Sequence, residues 1–152
     1  MDKNKILIAG ATGYLGTFIT KELVNKGNDV TIIVRNKKKI NIKAQNLTIL
    51  EAQVTQPETL KGVCKNIDVV ISTVGITRQK DGLTYMDVDF QSNVNLIEEA
   101  KKGGVKKFIY ISVLNGEKLR FLKICEAKEK LGDYLKLSGM NYCIIRPNGF
   151  FS

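Results

Sequence analysis

Short apolar runs alternate with amphipathic stretches along the whole chain. Ile6-Leu7-Ile8-Ala9 is an uninterrupted apolar run of strand length. Leu15, Phe18, Ile19, Leu23 and Val24 then recur at helical spacing over residues 14–26, and Gly27 follows as a stop. The β-branched, apolar stretch 29–35 predicts a second strand and 47–52 a third, while Pro57 opens a short helix over 57–65. The continuous apolar run at 67–74, IDVVISTV, suits a strand buried on both faces. Val88, Val94, Leu96, Ile97 and Ala100 place a long helix over 87–102, closed by Gly103-Gly104. A fifth strand over 106–113 leads into a second long helix over 117–137, and a sixth strand, 142–146, ends at Pro147.

Strands that alternate with helices, with no internal repeat and no linker, predict one α/β domain over residues 1–152. The sheet should be parallel and covered by helices on both faces. Right-handed crossovers give it the doubly wound order 3-2-1-4-5-6. The ligand crevice of such a sheet lies at the carboxyl ends of the strands, where the first and fourth diverge. This sets the residues after strand one and Thr73, Val74, Gly75 and Ile76 on opposite walls of one cleft.

Composition narrows the chemistry. A hydrophobic fraction of 43% with 26% charged residues is that of an ordinary globular domain, and 152 residues suffice for one core. No apolar run approaches the roughly 20 residues of a membrane span, and the N-terminus lacks the apolar region of a signal peptide. Cys64, Cys125 and Cys143 are odd in number and far apart, which predicts reduced thiols, a cytoplasmic location and no metal site. Histidine is absent, so any chemistry rests on Lys, Tyr, Ser, Asp, Glu, Arg and backbone groups. The net charge of +9 comes from lysines spread over the whole chain, with one cluster at Arg35-Asn36-Lys37-Lys38-Lys39. No aromatic residue is interleaved with that cluster, which argues against a nucleic-acid partner.

The stretch Gly10-Ala11-Thr12-Gly13-Tyr14-Leu15-Gly16 follows a strand, opens an amphipathic helix and starts a βαβ unit. In that setting the glycines read as a dinucleotide loop: Gly10 for the tight turn, Gly13 for backbone approach to a pyrophosphate, Gly16 for helix packing. A site that prefers NAD has Asp or Glu at the end of the second strand, where it accepts hydrogen bonds from the ribose hydroxyls. This chain has Arg35 there, a guanidinium suited to bidentate phosphate contact, which favours NADP, with NAD as the alternative.

These features, together with IDVVISTVG, VNLIEEAKKGGVKKFIYIS and SGMNYCIIRPNGFF, resemble the short-chain dehydrogenase/reductase superfamily and are similar to its atypical NmrA-like, NAD(P)-binding branch. The resemblance runs in register along nearly the whole chain. It implies a Rossmann-type fold, a bound NAD(P), and relatives that range from reductases and isomerases to redox sensors and assembly factors. It also implies that Pro147, Asn148, Gly149 and Phe150 join the glycine loop, Arg35 and residues 73–76 around the cofactor. Gln53-Val54 stands where relatives have Asp-Val near the adenine, and leaves an amide able to contact the base. The resemblance further implies a homodimer formed on the two long helices.

Two departures from that pattern bear on function. Catalytic relatives carry Tyr-x-x-x-Lys on the second long helix, where the lysine lowers the tyrosine's pKa and holds the nicotinamide ribose. Here Lys128 is present but Ile124 occupies the tyrosine position, and an isoleucine moves no proton. Tyr134 lies almost two turns further on. Ser112, at the end of the fifth strand, is either a substrate-orienting hydroxyl or a strand-end hydroxyl bonded locally. The substrate segment that follows the sixth strand in relatives is expected to be missing from residues 1–152. The readings left open are an NADP-dependent oxidoreductase acting on an unknown small molecule, and a non-catalytic NADP-binding sensor or assembly factor with a protein partner.

Overall fold

The structure, a computed structural model, describes residues 3–76 and 81–149. Six strands form one sheet: β1 (Lys5–Ala9), β2 (Asp29–Val34), β3 (Leu47–Glu51), β4 (Val69–Ser72), β5 (Lys107–Ile111) and β6 (Tyr142–Ile145). Their order is β3-β2-β1-β4-β5-β6, and every neighbouring pair is parallel, as the alternating pattern requires. Helix α1 (Tyr14–Asn25) joins β1 to β2, α2 (Ser92–Lys102) precedes β5, and α3 (Lys123–Leu137) precedes β6. Among the described residues no helix is long and apolar enough to cross a membrane.

The two sheet faces carry separate cores. On one, α1 lays Ile19, Leu23 and Val24 against Ile6, Ile8, Val30, Ile32 and Val34. On the other, Leu96, Ile97 and Ala100 of α2 and Leu131 and Leu135 of α3 pack against Leu7, Val70, Phe108 and Tyr110. Alternate residues of β1 therefore serve opposite cores, which is why its sequence is apolar without a break.

Three helical expectations are revised by local geometry. The stretch 57–65 forms only a 3-10 turn, Pro57–Leu60, because Gly62 takes φ 79° and Asn66 φ 59°, left-handed values that end a helix. The helix expected over 87–102 begins as a π-helical turn, Met86–Gln91, before α2 proper. The helix expected over 117–137 is split into a 3-10 turn, Gly116–Leu119, and α3. Left-handed Asn115 (φ 58°) enters the 3-10 turn, extended Leu122 interrupts the helix after it, and a bidentate pair from Arg120 to Asp133 (3.0 and 3.3 Å) ties the turn to α3.

Phe108 is fully buried at the centre of the larger core, whereas Phe121 is 78% exposed. Phe108→Ala should therefore cost about 3–5 kcal/mol, read as a fall in the urea midpoint at constant slope. Phe121→Ala should stay within about 0.5 kcal/mol of the parent.

Candidate functional site

The reversal from β1 into α1 is built from backbone alone. Gly10 takes φ 84° and accepts the Gly13 N–H at 3.1 Å. A Cβ on Gly10 would stand 2.4 Å from Oγ1 of Thr73, and one on Gly16 would stand 2.0 Å from the Gly10 carbonyl oxygen. Gly16 thus lets the first turn of α1 press on the loop itself. Thr73, one residue past β4, closes the ring by donating its hydroxyl to the carbonyl oxygen of Gly10 at 3.1 Å. Gly13 is the N-cap of α1, with no side-chain cap and no acidic residue in the first turn. Its added Cβ would meet nothing nearer than the Gly10 carbonyl oxygen at 3.4 Å. Uncapped N–H groups and the positive end of the helix dipole are therefore offered at the loop, an arrangement suited to an anion.

This loop opens on a cleft of 530 Å³ at the carboxyl ends of the strands. Of the sequence-predicted residues, Gly10, Thr12, Gly13, Arg35, Gln53, Val54, Thr73, Val74, Gly75 and Ile76 line it. Ala11 and Gly16 are buried behind it, and Leu15 is half-buried on α1. Tyr14 is exposed, its ring edge-on to Phe18 at 5.1 Å. Ile33, Ala52, Thr55, Asp81, Leu83 and Val88 also line the cleft without having been singled out in the sequence. Ile33 and Ala52 are apolar residues at strand ends, where periodicity assigns them to the core. Asp81 and Leu83 lie on the connection after β4, where no pattern distinguishes them.

Arg35 stands exposed at the lip of the cleft directly after β2, and among the described residues no ion pair holds its guanidinium. The following turn, Lys37–Lys39, is capped by the Asn36 side chain, which accepts the Lys38 N–H at 2.9 Å. Glu51 accepts the Lys37 N–H at 3.2 Å. The basic run is thereby folded beside Arg35. The backbone of Gln53 is pinned to Thr59, whose hydroxyl both accepts its N–H (2.9 Å) and donates to its carbonyl (3.0 Å).

Lys128 lies behind the far wall. Its Nζ is 2.9 Å from Oδ1 of Asp89 and 5.9 Å from the centre of the Tyr110 ring. Asp89 sits on the π-helical turn with its side chain fully buried, and its Oδ2 accepts the Ile76 N–H at 3.2 Å. Burial pushes the Asp89 carboxyl above the usual carboxylate range, with the Lys128 ammonium and the Ile76 N–H only partly offsetting it. No periodicity could have announced this carboxylate, since a lone aspartate in an amphipathic stretch reads as surface. Ile124 is half-buried one turn before Lys128. Tyr134 points elsewhere, donating its hydroxyl to Glu98 of α2 at 2.6 Å.

Ser112 is buried, and its hydroxyl has no hydrogen-bond partner among the described residues; its N–H donates to Ile145 at 2.8 Å. Pro147 is drawn beside the end of β5 by the Leu114 N–H at 3.0 Å, with Asn148 and Gly149 exposed after it. Phe150 lies outside the described residues.

The family model described as NAD(P)H-binding matches residues 10–152. Photosystem II assembly factor Ycf39 of Synechocystis is 31% identical over 147 residues, covering 96% of this chain and 45% of that protein. The chloroplastic divinyl chlorophyllide a 8-vinyl-reductase of Arabidopsis thaliana is 29% identical over 165 residues, covering 96% of this chain and 39% of that protein. The chain thus spans less than half the length of these curated relatives. The Bordetella bronchiseptica enzyme WbmH in complex with NAD+ superposes with a TM-score of 0.80 at 20% identity, over 95% of this chain and 56% of that one. The chain belongs to the NAD(P)H-binding family, and its architecture is the Rossmann fold.

Gly16→Ala should lower stability by about 1–3 kcal/mol or more, because its methyl group meets backbone that cannot yield. Gly13→Ala meets the Gly10 carbonyl oxygen only at ordinary contact distance, 3.4 Å, and should stay within about 1 kcal/mol of the parent. Thermal unfolding of the two variants side by side checks the difference.

Proposed function

We propose that this chain binds NADP(H) in preference to NAD(H), as the cofactor-binding part of an oxidoreductase of the short-chain dehydrogenase/reductase type. The observation that carries the preference is Arg35, which stands at the cleft lip where a ribose-binding carboxylate would favour NAD. In this reading the pyrophosphate lies on the N–H groups at Gly13 and the start of α1, where the dipole and the open backbone favour negative charge. Arg35 takes the 2′-phosphate, with Lys37–Lys39 adding positive potential around it. The apolar side chains of Val54, Leu83 and Val88 offer a surface for the adenine, and the Gln53 amide a polar contact at its edge. The second half of the dinucleotide extends past β4, over Gly75 and Ile76; Lys128 and residues 147–149 do not line the cleft. The loop fits this group, since the N-terminus of α1 carries no side-chain cap and no acidic residue in its first turn. Bound there, the nicotinamide would supply hydride transfer.

A second reading is a non-catalytic NADP(H)-binding sensor or assembly factor. Ile124 favours it, because no phenol stands a turn from Lys128 to carry the proton that accompanies hydride transfer. The two relatives above divide along the same line, one being named an assembly factor and the other a reductase.

Fluorescence titration should give a lower Kd for NADPH than for NADH. Arg35→Ala should raise the NADPH value by about 10- to 100-fold, the worth of a charge-assisted phosphate contact, and leave NADH nearly unchanged. Equal wild-type affinities would remove the role given to Arg35. For turnover, the protein is expected to consume NADPH with a member of a carbonyl substrate panel and to lose that activity in Lys128→Ala. Tight binding without consumption across the panel supports the sensor reading instead.

A further inference from the structure

Lysines that lie scattered along the sequence are gathered by the fold. All six strands run parallel, so every strand begins at the same end of the sheet, away from the cleft. Lys5 opens β1, Lys65 precedes β4, Lys106 and Lys107 lead into β5, and Lys102 and Lys136 lie in the last turns of α2 and α3. Direct contacts join this row. The Lys5 N–H donates to Asp68 at 2.9 Å, Lys106 pairs with the same carboxylate at 2.8 Å, and Lys107 stands beside Val69 in register. Of the solvent-facing acids at this end, Asp68 is taken by Lys106, Glu98 by Lys101 (3.3 Å) and Glu22 by Lys26 (3.3 Å). Asp29 stands opposite Lys5 in register. Among the described residues no ion pair holds Lys5, Lys65, Lys102, Lys107 or Lys136.

Helix dipoles account for Lys102 and Lys136, since cations suit helix C-termini. They do not account for Lys5, Lys65 or Lys107, which lie on strands and a turn. Like charges crowded on one end repel, and an anionic partner relieves that repulsion. A second feature says which anion. Leu137, the last residue of α3, is 88% exposed, and Tyr142, the first of β6, is 40% exposed. The segment between them is fixed beside Lys107 by the Phe108 N–H, which donates to the Asn141 carbonyl oxygen at 2.9 Å. A protruding leucine and a phenol ring set among ammonium groups suit a lipid surface: the apolar tips enter the headgroup layer while the lysines face phosphates. A duplex of nucleic acid offers such a leucine nothing to enter. The cations named here are all lysines, point charges fitted to a diffuse anionic surface more than to bidentate pairing. Between Lys5 and Lys65 a hollow of 320 Å³, lined also by Thr31, Thr48 and Asp29, has room for one phosphodiester headgroup.

We propose that the end of the sheet where the strands begin is a docking surface for a bilayer of anionic lipids. Leu137 and Tyr142 enter the headgroup region, and Lys5, Lys65 and Lys107 face the lipid phosphates. The contact is peripheral, and the cleft at the opposite end faces away from the lipid and stays open. It holds whatever the cleft binds.

The chain has no tryptophan, so Leu137→Trp places a lone fluorophore at this end, and Phe121→Trp, also at an exposed site, places one before α3. Vesicles of phosphatidylcholine with about one third phosphatidylglycerol should shift the emission of the first to the blue and leave the second unchanged. Pure phosphatidylcholine should bind at least about tenfold more weakly, and high salt should weaken binding to the anionic vesicles. In cosedimentation with the anionic vesicles, the triple variant Lys5→Gln, Lys65→Gln, Lys107→Gln should bind about 100-fold more weakly than wild type. The triple variant Lys21→Gln, Lys118→Gln, Lys123→Gln removes the same charge elsewhere and should stay within about threefold. Equal losses in the two triple variants overturn the proposal, because net charge alone then accounts for binding. No binding of wild type to anionic vesicles overturns it too, as does a blue shift at Phe121→Trp in place of Leu137→Trp. Duplex DNA is the competing partner: a wild type that binds it through the same lysines and leaves vesicles unbound assigns the face to nucleic acid instead. Should the first triple variant fail to fold, the Leu137→Trp shift and its dependence on phosphatidylglycerol decide.

Discussion

The geometry of the cleft depends on one close approach, that of the Gly16 backbone to the carbonyl oxygen of Gly10. A methyl group on Gly16 would stand 2.0 Å from that oxygen, so α1 can begin where it does only if the residue has no side chain. The approach fixes how steeply the chain leaves β1, and with it the direction in which the first N–H groups of α1 face. Thr73 carries the constraint across the switch point, since its hydroxyl donates to the Gly10 carbonyl while its N–H continues the ladder to Ala9 at 3.0 Å. The anion end of the cleft is therefore one rigid unit made of β1, the loop and the end of β4. The apolar β1, buried on both faces, is its anchor.

The opposite end is held by electrostatics where the first is held by sterics. Gly75 again marks the place, but what would meet its Cβ is a carboxylate and an ammonium instead of backbone. The π-helical turn at Met86–Gln91 carries Asp89 into this position, and Asn93 ties that turn back to Val74. The two junctions have different physical sensitivities. The glycine loop responds to added volume. The Asp89–Lys128 junction responds to lost charge, because removing either partner leaves the other buried without its counter-ion.

What was legible in the sequence follows from this difference. The strand order, the loop and the position of Arg35 depend on local patterns: apolar runs, glycine spacing, and the distance from the last glycine to the end of β2. Those patterns have a direct steric meaning, so they survive folding. Gly10, Thr12 and Gly13 accordingly line the cleft together with Thr73, Val74, Gly75 and Ile76, as the topology implies. Asp89 was not legible, because its meaning lies in contacts to Ile76 and Lys128, on two other segments of the chain. The same holds for Asp81 and Leu83, which reach the cleft through the path of the connection after β4 and not through any periodicity. The helix boundaries failed for a related reason. Left-handed Gly62 and extended Leu122 ended or split helices that the apolar spacing alone would have continued.

The departure at Ile124 and the carboxylate at Asp89 bear on the same question. A lysine that lowers the pKa of a neighbouring phenol does so through its net positive charge, felt at short range in a dry site. Here that charge is matched at 2.9 Å by a buried carboxylate, so the pair presents a dipole to its surroundings and no longer a monopole. A tyrosine at position 124 would gain little from such a lysine, and an isoleucine there gives up little. Hydrogen bonding is unaffected by the pairing, because the ammonium keeps N–H donors that Asp89 does not use. Lys128 is thus held against its buried counter-ion, and the side chain one turn before it, Ile124, offers no proton.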